Sequence, residues 1–154
     1  MVDFDDNQMF SFVAPTPTCP SCKKEGDLVP NTVLRSNVKI QNKDKINLNT
    51  DNYICMNPDC NVAYYNSNGT IHKDELKREL WYKTGTERVI ACYCNNIDTE
   101  QLKDAVVNHN LSSWKEICGH YRVKVIEKCE ILNPTGLCCR KTFRSMVEEV
   151  KISL

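Results

Sequence analysis

Closely spaced cysteines constrain this chain more than any other feature. Ten of its 154 residues are cysteines, and all but Cys118 fall into short groups: Cys19-x2-Cys22, Cys55-x4-Cys60, Cys92-x-Cys94 and Cys129-x8-Cys138-Cys139. In a reducing compartment these spacings indicate metal binding, whereas in a secreted chain the same density would indicate disulfides. The opening residues MVDFDDNQ are acidic where a signal peptide is basic, and no apolar run reaches about eighteen residues. We therefore expect a cytoplasmic protein, with no membrane segment, whose cysteines hold metal.

Charge and motifs narrow the function classes further. Twenty basic and twenty acidic residues balance to a net charge of zero, so we expect no nucleic-acid partner and no anionic membrane partner. The sequence has no nucleophilic serine motif and no glycine-rich phosphate loop. The three histidines, His72, His109 and His120, have no partner at ligand spacing. The protein is therefore not expected to be an enzyme.

The first two cysteine groups predict a structural zinc site. Cys19-Pro-Ser-Cys22 has the pattern of a zinc knuckle, in which a tight turn carries two thiolates. A tetrahedral zinc ion needs a second pair, and Cys55 and Cys60, on a turn punctuated by Asn-Pro, supply it. We favour this assignment over four buried free cysteines. Four thiolates leave no open position for water, so such a zinc ion contributes folding energy rather than hydrolysis.

The later cysteines have the layout of a small iron–sulfur site. A 2Fe–2S cluster takes four thiolates, which two loops beside a helical hairpin can provide. Cys92 and Cys94 lie two apart, so in extended backbone both sulfurs project to one side. Cys129 follows after a helical spacer, and either Cys138 or Cys139 is the fourth candidate. We favour Cys139 because it directly opens a helix, where free N–H groups and the helix dipole offset negative charge.

The remaining thiols and one histidine leave further hypotheses open. Cys118 lies on a helical apolar stripe and is interpreted as a small buried hydrophobic residue. Cys138, as a free thiol beside the cluster, could bind a soft ion such as Cu(I). His120 could replace one cysteine in a cluster of mixed ligation, which we rank below four thiolates.

Sequence patterns predict an α+β fold. Val62–Tyr65 and Thr70–Ile71 resemble strands joined by a turn, and Asn31–Ile40 also has strand character. Capping boxes at Asp98/Gln101 and Ser113/Glu116 predict two helices, and a third is predicted to begin near Cys139. We expect a flexible tail at residues 1–16, a zinc-ribbon-like β subdomain at 17–90 and a short three-helix 2Fe–2S-binding subdomain at 91–154.

In combination these motifs resemble a known family. The Cys92-x-Cys94 loop, the helix pair and the closing cysteine are similar to the 2Fe–2S domain of bacterioferritin-associated ferredoxins. The Cys55-x-Asn-Pro-x-Cys60 turn and the Asn-Pro-x-Gly-x-Cys-Cys139 segment resemble more closely the N-terminal domain of CopZ-type copper chaperones. That resemblance covers roughly residues 17–150. It implies a 2Fe–2S cluster on Cys92, Cys94, Cys129 and Cys139 and zinc on Cys19, Cys22, Cys55 and Cys60.

The resemblance also bears on function. Full-length members of that family add a domain with an M-x-C-x2-C motif, which this sequence lacks, so copper hand-over through such a domain is not expected. The favoured hypothesis is a 2Fe–2S and zinc protein that transfers electrons to a redox partner, which the resemblance links to copper homeostasis. The alternatives are a zinc-only interaction module and a chaperone-like protein that binds Cu(I).

Overall fold

An antiparallel sheet organises the first part of the chain. The computed structural model describes residues 17–47 and 49–154, so the tail predicted at residues 1–16 lies outside the described residues. The sheet has the order β1-β2-β3-β4, each strand pairing with the next. Its strands are β1 Asp27–Val29, β2 Asn52–Ile54, β3 Val62–Asn66 and β4 Gly69–His72. β3 and β4 confirm the strand pair predicted around the Asn66–Gly69 turn.

A helix lies where the sequence predicted a strand. Residues Asn31–Asn37 form α1, with Pro30 in extended conformation at its N-cap. The strand prediction for Asn31–Ile40 was therefore wrong. Its valines favour strands, but the consecutive residues Val33 and Leu34 are both fully buried, which a helix face allows and a strand with one buried face does not. A short 3-10 helix, Ile40–Lys45, follows α1.

The second part of the chain is mainly helical. A two-stranded sheet of β5 (Ile90–Cys92) and β6 (Ile97–Asp98) precedes the helices. Within residues 99–154, all of them described, the helices are α2 Thr99–His109, α3 Trp114–Tyr121, α4 Cys129–Leu132 and α5 Arg140–Ile152. The capping boxes at Asp98 and Ser113 are confirmed, each with reciprocal hydrogen bonds to the third helical residue. The expected three helices thus become four, because a single turn, α4, forms at Cys129.

Separate apolar clusters fill the two parts. In the first, Val29, Leu34, Ile54, Tyr64 and Leu80 are buried together. In the second, the helices pack around the buried side chains of Ile97, Leu102, Ile117, Phe143 and Val147. The two parts are in contact, since the Asn37 side chain donates to the carbonyl oxygen of Ile131 at 3.2 Å. The architecture is α+β, and across the described residues no helix is long and apolar enough to cross a membrane.

Candidate metal centres

The first cysteine pair lies on a tight turn before β1. The backbone N–H of Lys23 donates to the Cys19 carbonyl oxygen at 2.8 Å, and the Cys19 N–H donates to the Lys24 carbonyl oxygen at 2.9 Å. Lys23 adopts a left-handed conformation with φ of 66°, which closes the turn. This arrangement brings the Cys19 and Cys22 side chains to one side, as the knuckle pattern predicts.

The second pair lies on the connection between β2 and β3. The Cys55 N–H donates to the Ala63 carbonyl oxygen at 2.7 Å, which continues the sheet pairing beyond β2. The Cys60 N–H donates to the Asn57 carbonyl oxygen at 3.2 Å, and the Val62 N–H points at the Cys60 sulfur at 3.5 Å. The sheet therefore holds this turn opposite the first one.

The four sulfurs form a set that fits a zinc ion. All lie within 4.8 Å of one another, with Cys19 Sγ 3.8 Å from Cys60 Sγ and Cys22 Sγ 3.7 Å from Cys55 Sγ. Sulfurs at 2.3 Å from one tetrahedral zinc are about 3.8 Å apart, so the two measured separations match. Burial raises the pKa of the Cys55 thiol to about 12. At Cys22 burial acts in the same direction, but the Lys24 N–H and the Asn57 side chain lower the pKa to about 6.

Two supports of this site were missed from the sequence. A side chain at Gly26 would place its Cβ 2.2 Å from the Ile54 carbonyl oxygen, so the residue just before β1 must be glycine. Lys83 is only 3% exposed, and its ammonium group donates to the Asn57 carbonyl oxygen at 2.8 Å. The same charge lowers the pKa of Cys55 against the effect of burial. Lys83 lies in a stretch rich in charged residues, so no local pattern in the sequence marks it as part of a metal site.

Four more of the predicted cysteines converge in the helical part. Cys92 ends β5, while Cys94 lies in the turn between β5 and β6, so the expectation of extended backbone at both was wrong for Cys94. Cys129 is the first residue of α4, and Cys139 is the N-cap residue of α5. The chain thus presents these side chains from a strand end, a turn and two helix starts.

Their sulfurs are in contact. Cys94 Sγ lies 3.3 Å from Cys129 Sγ, which in turn lies 3.6 Å from Cys139 Sγ. Contact with the Cys139 thiol lowers the pKa of Cys129. Contact with the Cys118 thiol has the largest effect in lowering the pKa of Cys92, and the Cys139 and Cys94 thiols act in the same direction. Cys92, Cys94, Cys129 and Cys139 are all buried, whereas Cys138 is exposed. The structure therefore places Cys139, not Cys138, with the other three sulfurs.

Nitrogen donors surround this second set. The Trp114 indole N–H donates to Cys92 Sγ at 3.4 Å, and the Asn95 side-chain amide donates to the same sulfur at 3.5 Å. The backbone N–H of Lys128 donates to Cys94 Sγ at 3.3 Å. Asn95 is itself fixed by Ile126, whose N–H and carbonyl oxygen bond both ends of its amide at 2.8 and 2.9 Å. Such donors suit anionic thiolates bound to a metal centre. Neither Trp114 nor Asn95 was identified as a site residue from the sequence.

Comparisons with known proteins agree with the first centre. Residues 16–77 match the family described as a zinc-binding domain of the CopZ type. The copper chaperone CopZ of Archaeoglobus fulgidus is 32% identical over 121 residues, which are 79% of this chain and 57% of that protein. The chain thus spans little more than half the length of this relative.

A solved structure extends the likeness to the fold. The X-ray structure of the N-terminal domain of the same CopZ superposes with a TM-score of 0.66 at 29% identity. The match covers 84% of this chain and 96% of that domain. Residues 16–77 therefore match a CopZ-type zinc-binding domain, and the chain is similar, over most of its length, to the N-terminal domain of CopZ.

Proposed function

We propose that the protein is a copper-handling protein of the CopZ kind with two metal centres. Structural zinc is held by Cys19, Cys22, Cys55 and Cys60, and a 2Fe–2S cluster is held by Cys92, Cys94, Cys129 and Cys139. The observation that carries the second assignment is the convergence of buried thiols: Cys129 Sγ lies 3.3 Å from Cys94 Sγ and 3.6 Å from Cys139 Sγ, and Cys92 interacts with the Cys94 and Cys139 thiols. The link to copper is supported by the similarity to a protein named as a copper chaperone.

The two centres have different roles in this proposal. Zinc with four thiolates has no open position, so it stabilises the turns that carry Cys19 and Cys55 and takes no part in a reaction. A bound 2Fe–2S cluster supplies one-electron transfer. The protein's own residues keep water from Cys92, which is fully buried, and direct N–H donors at the sulfurs. With such a cluster bound at Cys92, Cys94, Cys129 and Cys139, the protein would act as an electron carrier for a docked copper-handling partner.

A second candidate function is Cu(I) binding without a cluster. The exposed thiol of Cys138 lies next to Cys139 and outside the buried set, where an incoming soft ion could reach it. The name of the relative supports this alternative directly. It differs from the first proposal in what occupies the second centre, because copper would then take the thiolates that the cluster needs.

Metal and sulfide analysis of anaerobically purified protein tests these assignments. The first proposal predicts about two irons, two sulfides and one zinc per chain, with visible absorption that dithionite bleaches. Reduction should also produce one unpaired spin by electron paramagnetic resonance. A colourless protein with two zinc ions would instead support a zinc-only module, and one that binds Cu(I) in place of iron would support the second candidate.

Matched cysteine variants then assign the ligands. Cys94→Ala should abolish the visible absorption, whereas Cys118→Ala removes a buried thiol outside the proposed set and should keep it. Cys138→Ser should keep the cluster as well. If Cys138→Ser loses the cluster and Cys139→Ser retains it, the assignment of the fourth ligand is wrong.

A further inference from the structure

Two of the three histidines lie side by side on the surface of the helical part. His109 is the last residue of α2, and His120 lies in the last turn of α3. Their ring centroids are 4.3 Å apart with an angle of 43° between the rings. Both residues are exposed, so neither ring is held in place by burial in the core. The pairing joins two helices through groups that commonly bind metals.

A carboxylate lies against one of the rings. Asp104 Oδ2 is 3.5 Å from His109 Nε2, which favours a proton on that nitrogen and leaves the lone pair of Nδ1 available. Asp104 accepts a hydrogen bond from the Asn108 side-chain amide at 2.6 Å. The Tyr121 hydroxyl, which donates to the Gln101 carbonyl oxygen at 2.7 Å, lies 3.3 Å from Asp104 Oδ2. The bond from Asn108, with smaller effects of His109 and His120, lowers the pKa of this carboxyl. It is therefore ionised at neutral pH.

We propose that His109 Nδ1 and a ring nitrogen of His120 bind a divalent first-row transition-metal ion. Asp104 acts as an outer partner that orients the His109 ring, an arrangement common around metal-bound histidines. Imidazole nitrogens suit copper, nickel and zinc, and the exposure of both rings leaves room for water to complete the coordination. This site uses none of the cysteines, so it does not depend on what the two thiol centres contain.

Calorimetric titration of the purified, metal-loaded protein with Ni(II) tests the proposal. The parent should show one site that is lost in the double variant His109→Asn/His120→Asn. Asp104→Asn should weaken this binding by about tenfold, because it removes the outer charge but keeps the shape. His72→Asn is the matched control, because His72 lies at the end of β4 and outside the histidine pair. The His72→Asn variant should bind Ni(II) as the parent does. The cysteines are common to all variants, so their contribution cancels.

Two results would contradict the proposed His109–His120 metal site. If the double variant binds Ni(II) with the stoichiometry and affinity of the parent, the histidine pair is only a packing contact. The same conclusion follows if His72→Asn loses as much binding as the double variant. Unchanged zinc content and visible absorption across the series would show that the two other centres are intact, so a loss of Ni(II) binding reports on these side chains.

Discussion

The phenol of Tyr64 donates a hydrogen bond to the carbonyl oxygen of Pro134 at 2.6 Å. Tyr64 is fully buried in β3, the strand that follows Cys60, and Pro134 lies in the segment between Cys129 and Cys139. The bond therefore ties the sheet of the first part to the loop that carries two of the proposed cluster ligands. Burial of this phenol also leaves no water to replace the bond if it is lost.

Tyr64→Phe should destabilise the protein by about 1–3 kcal/mol, because the Pro134 carbonyl oxygen loses its buried donor. The midpoint of urea unfolding measures the change. Tyr53→Phe is the matched control, since the Tyr53 ring stacks on Tyr65 at 5.6 Å and is only half-buried. Equal midpoints for the two variants would contradict the role given to the Tyr64–Pro134 bond.

Local signals in the sequence predicted much of the helical part. The capping boxes at Asp98 and Ser113 depend on residues three apart, so the start of α2 and α3 could be predicted from the sequence alone. The helix at Asn31–Asn37 could not, because Val33 and the adjoining Val38 favour strands and only packing in the folded protein favours the helix. The turn at Cys94 likewise depends on a left-handed Asn96, with φ of 55°, for which no pattern was recognised.

For the candidate sites, spacing identified the thiols but not their surroundings. Cysteine pairs at short spacing point to a shared centre, and the structure does bring Cys19 together with Cys60 and Cys94 together with Cys129. Lys83 and Trp114 reach the sulfurs or their turns from distant parts of the chain. Such contacts depend on tertiary packing and leave no local pattern.

Trp114→Phe should lower the reduction potential of the proposed cluster. An N–H···S bond stabilises the reduced cluster, which is more negative, over the oxidised one. About 1 kcal/mol of extra stabilisation of the reduced state corresponds to about 40 mV in the potential for one electron. Phenylalanine keeps a ring beneath the Arg140 guanidinium, which lies 4.6 Å from the indole centroid, but removes the donor to Cys92. Redox titration followed by visible absorption gives the potential. Trp81→Phe, whose indole packs against Tyr82 and Tyr93, should leave it unchanged; a similar shift in both variants would rule out the hydrogen bond as the cause.

Alkaline pH should destabilise the fold through its buried tyrosines. Burial raises the pKa of Tyr64, Tyr82 and Tyr93 above the ordinary value near 10. Above that pH the unfolded chain loses these protons while the native protein keeps them, so the free energy of unfolding falls as pH rises. Below pH 10, the stabilising contribution of these buried phenols is fully present. Above pH 10, absorbance at about 295 nm should show these phenols neutral in the native protein and ionised in the urea-unfolded protein. Identical titration curves for the native and unfolded protein would contradict this.

Lys83→Met should weaken zinc binding without touching a ligand. The Lys83 ammonium group is buried, donates to the Asn57 carbonyl oxygen and lowers the pKa of Cys55, so it favours the thiolate form that zinc requires. We expect a loss of about tenfold in zinc affinity, the usual scale for outer groups around a metal site. Competition with a chromophoric chelator measures the zinc affinity.

Lys73→Met is the matched control, because the Lys73 ammonium group is exposed and donates to the Thr84 carbonyl oxygen at 3.0 Å in the same loop. Should both variants hold zinc equally, the buried charge of Lys83 would serve packing alone.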